Sequence, residues 1–367
     1  MKFADIYRYL TRFHNAIPFH FFPGGGAFPP IHYYFEVTRR CNLRCSMCQY
    51  IEWFEQHPAG ELMKSELSLD EWKGLVDQTN ALGLITFTGG EPWVRQDFEE
   101  LLAYASQHRR THFISNGLLL NEDRVRRCAE LAPGSSLGRG LCFVGISLDG
   151  PPEINDAIRR RDGGFAKAMG NIKALTRLRG ELRKPYPKIH VTSVIQDANV
   201  DRLHEMPALV AEAGCEVFNL TMEIRFIDVE GLGEIDPEEL HDSLPELPRI
   251  APERLAAALK KTKEAADAAG IELSLPDMPL DQIVRYYDGG LDIGQFACRK
   301  VWSNVKIGCE GDVFPCFLWN VGNVRERPLK ELWNNERMRS FRRRVRQRPF
   351  CICQGCCELE YKGPEAP

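Results

Sequence analysis

Nothing in these 367 residues runs apolar for the roughly 20 positions that a bilayer-spanning helix requires. The opening segment, MKFADIYRYLTRF, carries Asp5 and Arg8 among its apolar positions and lacks the hydrophobic core of a secretion signal. An excess of one charge is missing too. With 47 Lys and Arg against 51 Asp and Glu, the net charge of −4 gives no reason to expect nucleic acid or an anionic membrane as a partner. Internal repeats and low-complexity tracts are also absent. What remains reads as a globular chain of a reducing, cytoplasmic compartment, with no transmembrane segment.

In that setting thirteen cysteines are many. Disulfides do not persist there, so metal, cluster or catalytic uses are the better readings. Three cysteines sit together (Cys41, Cys45, Cys48) and seven more lie between 298 and 357. Cys128, Cys142 and Cys215 fall on apolar or helical stretches and read as small buried hydrophobes.

Between the two groups, apolar runs alternate with helical patterns. The strands are expected at 32–37, 84–87, 111–115, 142–147, 189–195 and 216–221, rich enough in apolar and β-branched residues for parallel strands covered on both faces. Five helical patterns separate them, several opening on Asp or Asn and one closing on Gly214. The fold class is α/β: a partial (β/α)6 TIM-type barrel followed by a small cysteine-rich domain. Such barrels place chemistry at the C-terminal ends of their strands. There the sequence puts the three-cysteine loop, then TGGEP (88–92), SNG (115–117), SLDG (147–150), Gln196 with Asn199, and Glu223 with Arg225.

Structural zinc wants four protein ligands, and none joins the three thiols at ordinary spacing; His57 is a remote candidate. A 4Fe–4S cluster on three cysteines instead leaves one iron open to an exogenous ligand. C-x-x-x-C-x-x-C after a first strand, GGEP after the second and SLDG after the fourth resemble the radical SAM superfamily. The resemblance implies that Cys41, Cys45 and Cys48 ligate a 4Fe–4S cluster whose open iron is chelated by S-adenosylmethionine. It places Gly89, Gly90 and Glu91 at the SAM amino group, Ser147 at the ribose, and Arg159 at the carboxylate, with Arg160 a possible substitute. Asn116 is a further ribose or carboxylate candidate. Met47 stands where the family often has an aromatic residue. The activity implied is reductive cleavage of SAM to a 5′-deoxyadenosyl radical that abstracts hydrogen from a substrate, the cluster being reduced by a one-electron donor such as flavodoxin or ferredoxin.

The tail, C…GDVFPC…GNV followed by C-x-x-C, resembles the SPASM and Twitch domains that hold auxiliary clusters. Cys298, Cys316, Cys353 and Cys356 match their ligand pattern, which implies one auxiliary 4Fe–4S cluster; Cys309, Cys351 and Cys357 are left over, and two clusters or zinc remain alternatives. The domains are then an N-terminal helix and connector (1–30), the barrel (31–225), a connecting segment (226–290) and the auxiliary-cluster domain (291–367). RRRVRQR (342–348) reads as a solvated helix face, PGGGAFPP (23–30) as a flexible connector, and the N-terminal helix as packing across the barrel bottom. An auxiliary cluster suggests oxidation (dehydrogenation, decarboxylation) or C–C or C–S bond formation. The short segment before the first strand favours a small-molecule or natural-product substrate over a ribosomal peptide. A non-catalytic Fe–S or zinc redox sensor is the rival from another class.

Overall fold

A computed structural model describes residues 3–48, 50, 63–224, 248–316 and 319–363, with side chains from Arg12 onward. His57, Arg225 and most of the acidic stretch 231–253 lie outside the described residues.

The sequence expectation of six parallel strands is met, each within two residues of its bounds: β1 His32–Thr38, β2 Leu84–Gly89, β3 Arg110–Ser115, β4 Gly140–Ser147, β5 Lys188–Ile195 and β6 Val217–Met222. They pair in chain order, and β7 (Glu272–Ser274) continues the parallel sheet beyond β6. On the other edge the tail contributes to the same sheet. From past a short β8 (Phe296–Ala297), β9 (Asn304–Ile307) pairs parallel to β1, and β10 (Val313–Phe314) turns back antiparallel to β9. A boundary at 291 therefore divides the chain but not the hydrogen-bonded sheet.

Helices follow where period and caps direct them. A preceding α1 (Phe3–Phe21) leads into β1. Ser68 and Glu71 form a reciprocal capping box on α2 (Leu69–Gln78). α3 (Phe98–His108) and α4 (Glu122–Leu131) follow β2 and β3, and the Asn121 side chain accepts from the Arg124 amide to start α4. α5 (Pro152–Arg159) and α6 (Gly164–Glu181) fill the crossover after β4, and α7 (Met206–Glu212) the one after β5.

The strand faces are unlike one another. Tyr33, Phe35 and Val37 are buried on the helix side, where Phe35 meets Trp72 of α2 at 5.0 Å and Phe87 meets Phe98 of α3 at 5.6 Å. The alternating positions turn into the lumen, and most are polar: His32, Tyr34 and Glu36 on β1, Thr86 and Thr88 on β2, His112 on β3, His190 and Thr192 on β5, with Ile114 and Val194 apolar among them. The His32 Nε2 and His112 Nδ1 atoms both contact Thr86 Oγ1, at 2.8 and 3.0 Å. The apolar runs thus form one greasy face and one polar lumen, not two apolar faces.

After β6 come α8 (Pro252–Ala269) and α9 (Leu280–Asp288); the tail holds α10 (Leu329–Leu332), α11 (Glu336–Gln347) and β11 (Glu360–Tyr361), which pairs with β8. Two expectations fail here for one reason. Arg342 of α11 is fully buried, stacked 4.0 Å over the Trp333 ring, and donates to the carbonyls of Val301 and Gly25 and to Asn334. Burial lowers its pKa to about 9. Arg346 holds the Phe22 and Pro23 carbonyls at 3.1 and 2.9 Å. RRRVRQR is thus in part an arginine clamp, and PGGGAFPP is pinned under it. A Cβ on Gly25, which has φ 76°, would sit 2.3 Å from the Arg339 carbonyl oxygen. The N-terminal helix packs on the tail through Phe19, 5.0 Å from Trp302.

Candidate active site

The polypeptide leaving β1 is fixed before it reaches the first cysteine. Arg40 pairs with Glu66 at 3.0 Å, and Arg95 donates to the Val37 carbonyl at 3.3 Å. The Gly90 and Glu91 amides donate to the carbonyls of Thr38 and Arg40 at 2.8 and 2.9 Å. This explains the two glycines. A Cβ on Gly89 would lie 2.1 Å from the Thr38 oxygen, and one on Gly90 2.4 Å from the Arg39 and Arg40 oxygens. Their first task is to let the end of β2 press against the root of the cysteine loop.

Cys41, Cys45 and Cys48 are half-buried on the wall of a cavity of about 320 Å³ at the C-terminal strand ends. Gly89, Gly90, Asn116, Ser147 and Arg159 share that wall, so eight of the expected residues converge although they span 119 positions of the chain. Burial raises all three thiols, Cys41 to about 12. Ligation by iron removes their protons and with them that cost.

Glu91 is the exception. It is fully buried, does not line the cavity, and its carboxylate accepts from the Asn116 amide (2.7 Å), Ser115 Oγ (2.9 Å) and the Trp93 amide (3.2 Å). The expected carboxylate–ammonium contact is replaced by a positioning role, because backbone donors of the β3 turn reach the carboxylate first. Burial pushes its pKa up to about 7 against those donors.

Arg159 and its possible substitute Arg160 part company. Arg159 points inward with Nη2 2.7 Å from Asp149 Oδ2, whereas Arg160 caps α5 outside and is exposed. The Arg159 Nε is buried without a hydrogen-bond partner, a donor left over for a ligand of this cavity. Asp149, the acid of SLDG, is itself held by the Val194 amide at 2.9 Å. Asn116 spends its amide on Asn42 Oδ1 (2.8 Å) and its oxygen on the Leu118 amide (3.0 Å), bracing the cysteine loop from across the sheet. Thr192, Val194 and Thr221, also on the cavity wall, carry no motif that would have singled them out individually.

In the tail, Cys298, Cys316, Cys353 and Cys356 form a second group. Burial and then the neighbouring thiols of Cys316 and Cys298 push Cys353 up, and Cys356 is raised by burial with Cys357, Cys353 and Cys298 beside it. Cys309 lies elsewhere, raised by burial and by Glu36. Cys357 meets the Thr221 side chain on the lumen side. The residues present fit the groups they are asked to hold. There are three thiols on an open cavity with a spare arginine donor, and four half-buried tail thiols of which Cys298, Cys316 and Cys356 lie near enough to Cys353 for their charges to be felt.

Comparison with known proteins agrees segment by segment. The Radical SAM superfamily model matches residues 35–182, and the SPASM iron–sulfur cluster-binding domain model matches 298–357. Relatives include an Fe-coproporphyrin III synthase of Methanosarcina barkeri, 27% identical over 82% of this chain and 72% of that one. A PqqA peptide cyclase of Xanthomonas campestris pv. campestris is 24% identical over 90% and 80%. In fold, the chain is similar to Streptococcus suis SuiB bound to S-adenosylmethionine, with TM-score 0.61 and 15% identity over 86% of this chain and 68% of that one. The motifs at the strand ends, the cavity they enclose and both matched models lead to one assignment: the chain belongs to the radical SAM superfamily, carries a C-terminal SPASM domain, and uses S-adenosylmethionine and 4Fe–4S clusters.

Proposed function

We propose that this chain is a radical SAM enzyme of the cytoplasm that oxidises, or forms a bond within, a natural-product intermediate held in the barrel lumen. The observation that carries this reading is the continuity of three cavities. The SAM cavity shares Thr221 with a cavity of about 930 Å³ that also bears Cys357, the neighbour of Cys356. A third, of about 190 Å³, shares Tyr50, Thr88 and Gly89 with the first and Tyr34 with the second. A substrate filling this space would lie between the barrel thiols and Cys357.

Cys41, Cys45 and Cys48 would hold the cluster, the Gly89–Gly90 edge and Arg159 would receive the amino and carboxylate ends of SAM, and Ser147 would meet the ribose. When bound, this pair supplies the 5′-deoxyadenosyl radical that takes hydrogen from the substrate. Glu91 and Asp149 act through others, fixing the β3 turn and the arginine. Cys298, Cys316, Cys353 and Cys356 would hold the auxiliary cluster, a nearby acceptor for the electron that an oxidation must release. The lumen supplies Tyr34, His32, Asn219 and Thr221 to orient the substrate and keep bulk water from the reacting carbon.

A second reading, maturation of a peptide, is supported by the same volume, which lies at the large end for ligand pockets, and by the PqqA peptide cyclase relative. Binding of iron coproporphyrin III against binding of a PqqA-type peptide separates the two. Catalysis itself is tested without substrate: anaerobically reconstituted protein with dithionite should release 5′-deoxyadenosine from SAM. No release, with iron content intact, would overturn the enzymatic reading in favour of a redox sensor.

A further inference from the structure

One side of α1 is covered and the other is bare. Asn15, Pro18 and Phe19 turn inward, Asn15 onto the wall of the cavity of about 930 Å³ and Phe19 against Trp302. The opposite side carries Phe13, Ile17 and Phe21, which are 65%, 40% and 74% exposed. They are three of the seven large apolar side chains left exposed among the described residues. Their spacing of four sets them in one stripe about 12 Å long. The other four, Met63, Leu82, Leu137 and Leu182, are scattered over the chain, as single exposed apolar residues ordinarily are.

A row of arginines runs beside the C-terminal end of the stripe. Arg339, Arg343 and Arg346 stand at i, i+4 and i+7 on α11, against the connector that follows α1. The Arg339 carbonyl abuts Gly25, Arg343 donates to the Gly24 carbonyl at 3.2 Å, and Arg346 donates to the carbonyls of Phe19, Phe22 and Pro23. Carbonyl oxygens hold a guanidinium in place without neutralising it. Among the described residues only Arg343 of this row is in an ion pair, with Glu336 at 2.6 Å. At the far end of the stripe Arg12 pairs with Asp277 at 3.6 Å.

We propose that α1 seats the protein on an anionic phospholipid bilayer, with Phe13, Ile17 and Phe21 entering the interface and Arg339, Arg343 and Arg346 at the headgroup phosphates. An apolar helix face flanked by arginines is the makeup of a helix that lies in a membrane surface, and anionic headgroups complement the row. The net charge of −4 does not oppose this, because screening over about 8 Å leaves the local charge to decide. A second copy of the chain is the poorer occupant. A two-fold contact sets the same patch against itself and would bring arginine onto arginine. The inference does not depend on the chemistry assigned to the lumen.

The test is flotation of the reconstituted holoenzyme with vesicles of phosphatidylcholine alone or mixed with phosphatidylglycerol. The parent should float with the mixed vesicles and not with phosphatidylcholine alone, and added salt should release it. Phe13→Ser with Phe21→Ser should weaken partitioning about tenfold, and Arg339→Gln about threefold. These side chains are exposed, so Tm should not fall. Leu82→Ser with Leu137→Ser, at least as exposed but away from α1, should leave binding unchanged. A parent that does not float with mixed vesicles overturns the inference. Parental binding by the Phe13, Phe21 variant does so too, as does equal binding to phosphatidylcholine alone. A dimer seen by light scattering and abolished by the same two substitutions assigns the stripe to a second copy and also overturns it. Release of 5′-deoxyadenosine with dithionite should be the same in all these proteins. Vesicle binding without that release overturns the enzymatic reading and leaves the bilayer inference standing.

Discussion

The barrel and tail thiols differ in origin and in surroundings. Cys41, Cys45 and Cys48 come from a single loop and line a cavity that opens into the lumen. Cys298, Cys316, Cys353 and Cys356 come from three segments and are half-buried near one another. A short loop can position three ligands by spacing alone, but it exposes their fourth side. Gathering four ligands from distant segments requires a folded frame. The comparison teaches that ligands within one loop are readable from spacing, whereas ligands from distant segments depend on the fold that gathers them. Openness also goes with a demand on neighbours: only the barrel site needs Arg159, Asp149 and Glu91 around it.

The strongest way to break the comparison is to remove each thiol set in turn. Reconstituted parent should hold about eight irons. Changing Cys41, Cys45 and Cys48 to Ala should remove about half of them and all 5′-deoxyadenosine formation. Changing Cys353 and Cys356 to Ala should remove the other half while SAM cleavage continues. Iron analysis with quantification of deoxyadenosine reads both. Loss of cleavage in the tail variant whose barrel iron is intact would mean that the two sites do not work separately.

Next in size is Arg159→Ala, which leaves the fully buried Asp149 without its cation. Breaking such a pair costs about 3–5 kcal/mol, so denaturant unfolding should show a large loss and SAM titration a much weaker affinity. In the tail, Arg299→Ala, whose partner Glu360 lies 3.3 Å away, should leave SAM affinity intact.

A smaller effect is expected from Glu91→Gln. With its pKa raised to about 7 from an ordinary 4.5, the folded protein takes up a proton that the unfolded chain does not hold between those values. This contribution to stability is full below about pH 4.5 and is lost as pH rises through 7, at about 1.4 kcal/mol per unit. Gln cannot titrate, so the pH dependence of unfolding free energy over that window should flatten by that slope. An unaltered slope would show that the backbone donors, not burial, govern this carboxylate.

The smallest effect is expected from Cys309→Ala. This thiol keeps company with Glu36 and Arg39 rather than with the tail ligands, so iron content should remain about eight. A loss of about four irons would move Cys309 into a cluster.

Much of this was legible from residue order because the forces involved are local. Strand positions followed from apolar runs, α4 from its Asn121 cap, and the cysteine loop from ligand spacing. Each depends on residues within a few positions of one another. The polar lumen was less legible, since His32, Glu36 and His112 hide among apolar neighbours and alternate with them only once the strands are placed. Glu91 was placed in the right turn, but its partners, Ser115 and the Asn116 amide, come from another strand, so the direction of its carboxylate could not be read from the motif.

The sequence by itself determined which cysteines are grouped, which strand ends bear glycine and acid, and that α and β elements alternate. Only the tertiary structure decided that Arg159 turns in while Arg160 turns out, that β9 joins β1, and that the arginines of α11 grip the glycine connector. Spacing along a chain fixes what neighbours can share, whereas burial and the pairing of a charge depend on which distant segment arrives to cover it.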